Sequence, residues 1–277
     1  FDQQGNVDYD TLTTLVSEQE AAHNGILLLG STGEGLALTL KEQQGIVEHV
    51  CQLKSSVPLM VAVGGSNLAQ QKEWVSYCNQ LPIHSYLLGS PLYAKPGAVG
   101  QTHWYESLLN ESVHPCMLYN VPGRTGVDMA NDTTLRLSEI DNIVGIKDAT
   151  NDLDRGADLI RRCPDDFAVY SGEDGTACRL MLAGGKGTIS VSANAAPRLM
   201  HEMCTAAVAG DEETALQRDG QLRDLHAAMF VQSNPIPAKW AVCQQGLIGG
   251  GIRLPLVVLD DEYHDTVRAA MNTAGVL

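Results

Sequence analysis

The sequence predicts an α/β fold in which parallel strands alternate with helices, on three observations. Apolar runs of four to eight residues recur along the chain, as expected for strands buried on both faces. An amphipathic segment separates successive runs, at a repeat of about 30 residues. Beyond residue 194 the patterns are helical, with no convincing strand. Together they predict a (β/α)8 TIM barrel over residues 1–194, with a C-terminal helical extension over 195–277 packed on it.

Each predicted strand is an apolar run that is rich in branched residues and ends in Gly, Ser, Pro or a polar residue. They cover residues 25–31, 58–65, 85–91, 115–122, 142–149, 166–174 and 186–194. A closed barrel of this class needs eight strands in about 250 residues. We therefore expect a first barrel strand that would precede Phe1 and is absent from the given chain. An open doubly wound sheet, which needs no such strand, is the alternative.

The predicted helices lie between these runs and after the last one. A loop and a helix open the chain, and residues 131–140 begin with polar residues suited to capping a helix. The remaining predicted helices cover 41–54, 67–81, two segments from 195 with a break near Gly210, a third from near Pro237, and a last one over 261–276.

Composition excludes several classes of function. A net charge of −15 makes nucleic acids and anionic membrane surfaces poor partners. No apolar run approaches the roughly 20 residues of a membrane helix. The seven cysteines are odd in number and form no Cys-x-x-Cys pair, which indicates reduced thiols in a cytoplasm. The eight histidines form no zinc motif, so neither a metal nor a cofactor is predicted.

Lys147 stands at the end of the apolar run "NIVGIK", where a barrel carries its chemistry. Burial disfavours the ammonium and lowers a lysine's pKa, which supplies a nucleophilic amine near neutral pH. A structural role is the other interpretation, with Lys147 paired to Asp148 or Glu173. Position alone leaves both open.

A lysine that attacks a keto group needs a proton shuttle, and the hydroxyls of Tyr119, Tyr93 and Ser31 follow predicted strands. The Gly-rich "GSTGEG" turn suits a carboxylate, because such a turn before a helix presents N–H donors. Arg124 could clamp a second anionic group. Tyr119 could equally be core, Arg124 a surface ion pair, and Ser31 or Thr32 a helix cap.

Six segments together resemble the dihydrodipicolinate synthase family, which belongs to the superfamily of pyruvate-dependent Schiff-base aldolases. They are "GSTGEG", "YNVPGRTG", "VGIKDAT", "SGEDG", "GGKGTISVSANAAP" and "NPIPAKWA". The resemblance implies a (β/α)8 barrel with a three-helix C-terminal region and a homotetramer built as a dimer of dimers. It implies a cytoplasmic lyase of the hydro-lyase type that needs no cofactor. Its substrates would be pyruvate and L-aspartate 4-semialdehyde, for lysine and diaminopimelate biosynthesis.

The resemblance also implies a role for each matching residue. Lys147 would form the imine with pyruvate, and Tyr119 would be the proton donor and acceptor beside it. Ser31 and Tyr93 would complete a hydroxyl relay, with Tyr93 reaching into the site of a neighbouring copy. The implied substrate-binding residues are Thr32 for the pyruvate carboxylate, Arg124 for the carboxylate of the semialdehyde, and Ile189 and Gly172 for the pocket wall.

One departure from the family pattern leaves other functions open as alternatives. Ser31 stands where the synthases usually carry threonine, and serine is what N-acetylneuraminate lyases tend to have. Arg124 and Tyr93 favour the synthase. The alternatives are a pyruvate-releasing aldolase of sialic acid or of a keto-sugar acid, and a non-catalytic barrel that serves as a binding module.

The positions that match the family's lysine feedback site have largely lost its polar residues. They are Gly35, Leu36, Leu40, Gln43, Asn67, Gln71 and Leu92, where lysine-sensitive members tend to carry histidine, glutamate and tyrosine. Leucine and glutamine offer no negative charge to an ammonium group. We therefore predict weak or no inhibition by lysine in initial-rate assays. A sub-millimolar inhibition constant would contradict this prediction.

Overall fold

The computed structural model describes residues 1–277, which form two compact units. The terminal unit comprises Phe1–Pro58 and Ser190–Leu277, and the central unit comprises Leu59–Ile189. No helix combines the length and the apolar character needed to span a bilayer. The domain boundaries expected from the sequence, 1–194 and 195–277, stay a prediction.

Each of the seven predicted strands is present. The strands are β1 Ile26–Leu28, β2 Leu59–Val63, β3 Ser85–Gly89, β4 Cys116–Asn120, β5 Ile143–Asp148, β6 Ala168–Ser171 and β7 Gly187–Thr188. The last strand is far shorter than the predicted run, because the chain turns into a 3₁₀ turn at Ser192–Asn194.

The predicted helices are also present, together with four others. The helices are α1 Tyr9–Ala21, α2 Leu40–Gln52, α3 Leu68–Cys78, α4 Ala98–Leu109, α5 Pro122–Thr125, α6 Asn131–Ser138, α7 Leu153–Arg162, α8 Asp174–Leu182, α9 Pro197–Ala209, α10 Glu212–Ala228, α11 Ile236–Gln244 and α12 Asp261–Thr273. No range is predicted from the sequence for α4, α5, α7 and α8. The break at Gly210 is confirmed: it caps α9 in the left-handed conformation at φ +77°, which glycine adopts without steric cost.

In the central unit, β2 to β7 are hydrogen-bonded in chain order, and each strand runs parallel to the next. A doubly wound sheet would reverse its strand order at a switch point. No reversal occurs here, which rules against that alternative. The carboxyl ends of these strands therefore meet at one edge, as the barrel prediction requires.

The core of the central unit lies along these strands, where Val61, Leu88, Leu118 and Ile146 are almost fully buried. Val144 was expected to be buried with them but is 37% exposed. The pairing of β4 with β5 passes from Ile143 directly to Gly145, so Val144 lies in a bulge. In the terminal unit, α9 packs against α10.

The prediction that polar residues at the start of 131–140 cap the helix is wrong. Ala130 precedes α6 and offers no side-chain cap. Asn131 instead lies inside the helix, and its Nδ2 donates to Asp158 Oδ2 at 2.8 Å. This side chain joins α6 to α7, because Asp158 belongs to α7.

The close approach of β5 to β6 at Gly145 gives a stability prediction. A Cβ on Gly145 would lie 2.3 Å from the carbonyl oxygen of Ala168, whereas one on Gly220 in α10 meets nothing within 4 Å. We expect Gly145→Ala to lower the free energy of unfolding by about 1–3 kcal/mol. Gly220→Ala, the control, should raise it by up to about 1 kcal/mol. Urea unfolding midpoints measure both, and equal midpoints would contradict the contact.

Candidate active site

Lys147 and Tyr119 are neighbours at the edge of the sheet where β4 and β5 end. The strand register pairs their Cα atoms directly, so both side chains leave the sheet on the same face. The Nζ atom of Lys147 lies 4.4 Å from the centroid of the Tyr119 ring. The structure thus brings together the nucleophile and the proton carrier that the sequence predicts.

Lys147 is largely buried at the end of its strand, with 8% of the residue exposed. Its pKa is lowered to about 8, chiefly by burial. The negative charge of Asp174 opposes this shift, and the positive charge of Arg124 adds to it. At pH 7, Lys147 is then a neutral amine in on the order of a tenth of the molecules. The geometry therefore suits nucleophilic attack at near-neutral pH.

The carboxylate of Asp148 is engaged by other groups than Lys147. Its Oδ1 accepts from Asn120 Nδ2 at 3.0 Å and lies 3.4 Å from Arg155 Nε. Its Oδ2 accepts from the hydroxyl of Thr150 at 2.6 Å. These contacts speak against the structural interpretation in which Asp148 neutralises the lysine.

Asn120 and Arg155 form a hydrogen-bonded network with the buried Asp148 and the more exposed Asp128, and sequence reasoning missed Arg155. Asn120 Nδ2 also donates to Asp128 Oδ1 at 2.8 Å, and its Oδ1 accepts from the N–H of Met129 at 3.0 Å. Arg155 Nη1 lies 3.2 Å from Asp128 Oδ2. The network fixes the ends of β4 and β5, and therefore also Tyr119 and Lys147, which directly precede Asn120 and Asp148. Arg155 carried no sequence signal, because α7 contains several other charged residues.

Glu173 and Asp174 follow β6, and they differ in their effect on Lys147. Asp174 is 2% exposed and is the carboxylate whose charge raises the pKa of the lysine. Glu173 has its own pKa raised, first by burial and then by Asp174. Glu173 is therefore a poorer partner for Lys147 than the sequence-based alternative supposed.

Gly172 packs closely against Lys147, and Ile189 pairs with the end of β6. A Cβ on Gly172 would approach Lys147 Cε to 2.8 Å and Ala149 Cβ to 2.7 Å, so only glycine leaves room for the lysine. The N–H of Gly172 donates to the carbonyl of Asp148 at 2.7 Å, and that of Ile189 donates to Ser171 at 2.9 Å. The pocket-wall role that the resemblance implies for both positions stays a prediction.

Arg124 and Tyr93 are exposed. Arg124 lies on the single turn of α5, close enough for its charge to lower the pKa of Lys147. Tyr93 is 95% exposed and adopts a left-handed backbone at φ +66°. Its proposed place in a hydroxyl relay therefore stays a prediction that depends on a second copy of the chain.

Ser31 and Thr32 lie in a tight turn of the terminal unit. Within it the N–H of Glu34 donates to Ser31 and that of Gly35 donates to Gly30, at 3.1 and 3.2 Å. A 3₁₀ turn at Gly35–Ala37 follows, not the helix that the sequence predicts. The capping interpretation of Ser31 and Thr32 is wrong, because the α2 helix is capped by Thr39.

Several positions of the expected lysine site have structural roles in the single chain. Gln43 Nε2 donates to the carbonyl of Gly35 at 2.9 Å, and Asn67 caps α3 by accepting from the N–H of Gln70 at 3.2 Å. Leu36 and Leu40 are exposed. The loss of lysine binding stays a prediction.

Comparisons with known proteins identify the family of this chain. Residues 1–274 match the model of the dihydrodipicolinate synthetase family. The 4-hydroxy-tetrahydrodipicolinate synthase of Nitrosomonas europaea is 43% identical over 274 residues, covering 98% of this chain and 94% of the relative. That of Pseudomonas aeruginosa is 42% identical over 279 residues, covering 100% and 96%.

A solved structure is similar over the same length. It is the chloride-inhibited dihydrodipicolinate synthase of Acinetobacter baumannii complexed with pyruvate, 40% identical, covering 99% of this chain and 95% of that one at a TM-score of 0.97. The chain belongs to the dihydrodipicolinate synthetase family. The resemblance read from the sequence is confirmed, and so is the barrel fold class with its C-terminal helices.

The two charges near Lys147 make opposite predictions about its pKa. Asp174→Asn removes the charge that favours the ammonium, so the pKa should fall below about 8. Arg124→Gln removes a charge that disfavours it, so the pKa should rise. We expect shifts of about half a unit to one unit. Reductive methylation with formaldehyde across pH, followed by peptide mapping of Lys147, measures both.

Labelling of the exposed Lys54 in the same samples is the internal reference. Shifts of the same sign in both variants would contradict the electrostatic account, as would no shift in either.

Proposed function

We propose that the protein is a 4-hydroxy-tetrahydrodipicolinate synthase that condenses pyruvate with L-aspartate 4-semialdehyde through a Schiff base on Lys147. The observation that carries the proposal is the buried Lys147 amine beside the Tyr119 ring. The names of the similar curated proteins support the same reaction. The two alternatives are an aldolase of sialic acid or of a keto-sugar acid, and a non-catalytic barrel. The experiments below distinguish both of them from the synthase.

In the proposed reaction, the neutral Nζ of Lys147 adds to the keto carbon of pyruvate, and loss of water gives the imine. The protonated imine accepts electrons as a methyl proton leaves, which yields an enamine. The enamine carbon attacks the aldehyde of the semialdehyde. The amine of the semialdehyde then displaces Lys147 and closes the ring of 4-hydroxy-tetrahydrodipicolinate, and the free lysine returns.

The remaining residues take the roles that the resemblance implies. The Tyr119 hydroxyl is proposed to carry protons to and from the imine, with Ser31 and Tyr93 as its relay. Thr32 would bind the pyruvate carboxylate, and the guanidinium of Arg124 the carboxylate of the semialdehyde. Gly172 and Ile189 would bound the pocket by their backbone.

We further propose a cytoplasmic homotetramer built as a dimer of dimers. The support within the chain is Tyr93, a large aromatic residue that is 95% exposed in the single copy. The resemblance places this side chain at the site of a neighbouring copy. The reaction would serve lysine and diaminopimelate biosynthesis.

Borohydride trapping tests the Schiff base. Reduction in the presence of pyruvate should attach one reduced pyruvyl group, located on Lys147 by peptide mapping. Lys147→Arg should form no adduct, because a guanidinium is not deprotonated near neutral pH. Lys186→Arg, a change of an exposed lysine after α8, should form the adduct as the wild type does. An unlabelled Lys147 in a folded wild type would contradict the mechanism.

Substrate choice is tested on the same protein. We expect turnover of pyruvate with L-aspartate 4-semialdehyde and none of N-acetylneuraminate. Cleavage of N-acetylneuraminate without reaction of the semialdehyde would replace the synthase by the lyase.

A further inference from the structure

The turn that carries Ser31 and Thr32 is fastened by side chains from more than 200 residues further along the chain. Lys239 on α11 donates through Nζ to Glu34 Oε2. The N–H of Arg253 donates to Glu34 Oε1 at 3.2 Å, and its Nη1 donates to the carbonyl of Ala37 at 2.8 Å. All of these residues belong to the terminal unit.

The turn needs this fastening because its backbone is strained. Leu29 and Glu34 both adopt left-handed conformations, with φ of +62° and +53°, which side chains with a Cβ disfavour. Between them the chain doubles back so closely that a Cβ on Gly35 would lie 2.0 Å from the carbonyl oxygen of Leu29. External contacts must therefore hold the turn in this form.

Glu34 is the residue through which the turn is held. It is 7% exposed, and both of its carboxylate oxygens are bonded, one by the Lys239 ammonium and one by the Arg253 N–H. A buried carboxylate without such partners would be strongly unfavourable. The ion pair therefore ties the conformation of the turn to the position of α11.

A second contact orients the hydroxyl of Thr32. Its Oγ1 accepts from Asn234 Nδ2 at 2.9 Å. With that lone pair used, the hydroxyl proton points elsewhere and can be donated to an anion. Asn234 and Lys239 both lie in the segment "NPIPAKWA", so this one segment contacts the turn at both Thr32 and Glu34.

We propose that Glu34 and Lys239 are positioning residues, whose buried ion pair holds the turn so that Thr32 can donate its hydroxyl to the carboxylate of pyruvate. The inference rests on the proposed function, because it takes the turn as the carboxylate-binding element. It predicts that this ion pair governs the binding of pyruvate and leaves the binding of the semialdehyde nearly unchanged.

The test compares Lys239→Met, Lys239→Arg and Glu34→Gln. In Lys239→Met we expect a KM for pyruvate at least about tenfold above that of the wild type, since small displacements of binding groups weaken productive geometry. The KM for the semialdehyde should stay within about twofold of it. The pyruvate concentration that gives half-maximal borohydride trapping should rise in parallel, and Lys239→Arg should restore part of the affinity.

The double variant Glu34→Gln/Lys239→Met distinguishes the loss of the ion pair from the effect of leaving one buried charge without its partner. It contains no unpaired buried charge, so we expect a KM for pyruvate below that of Lys239→Met. It also serves if Lys239→Met does not fold, as judged by circular dichroism. Arg218→Met is the matched control, because it removes a partly exposed ion pair of the same helical region, in which Arg218 Nε lies 3.0 Å from Glu202 Oε2.

The outcomes separate the inference from the proposed function. A wild type that forms no pyruvate adduct overturns the proposed function, and the inference with it. A wild type that forms the adduct, with folded variants whose KM for pyruvate matches that of Arg218→Met, overturns the inference alone. Equal increases in KM for both substrates would also overturn it, since they indicate a general loss of structure.

Discussion

The proposed chemistry of this protein depends on the desolvation of a single ammonium group, that of Lys147. Lys147 is placed at the end of β5, where a strand of a parallel sheet delivers its last side chains to the edge that carries function. Burial favours the neutral amine, which brings the pKa to about 8. A fully solvated lysine at the same place would be almost entirely protonated at neutral pH and could not attack a carbonyl group.

This constraint limits what the neighbouring residues can be. A carboxylate paired directly with Lys147 would stabilise the ammonium and remove the nucleophile. The adjacent Asp148 avoids that outcome because Asn120, Thr150 and Arg155 bind it. Asp174 acts on the lysine through its charge, and Arg124 offsets part of that effect. The pKa of Lys147 is thus a balance among burial and two charges of opposite sign.

The sequence predicted the repeating units well because buried parallel strands leave continuous apolar runs, which are easily recognised. It also located Lys147, since a lysine at the end of such a run is conspicuous. It failed where tertiary contacts decide. The bulge at Val144 and the shortness of β7 depend on register, which composition does not encode. Arg155 was invisible because a helical arginine usually lies in solvent.

The turn at Ser31 and Thr32 shows the same difference between what local sequence predicts and what tertiary contacts decide. Its glycines indicated a tight turn, but no local pattern indicated that a strained Glu34 would be buried against Lys239. Local sequence specifies that such a turn is possible, whereas the ion pair selects one conformation from those available. In the proposed arrangement, a buried charge matters to substrate binding through the loop that it holds, because a strained loop keeps its shape only while its partners remain in place.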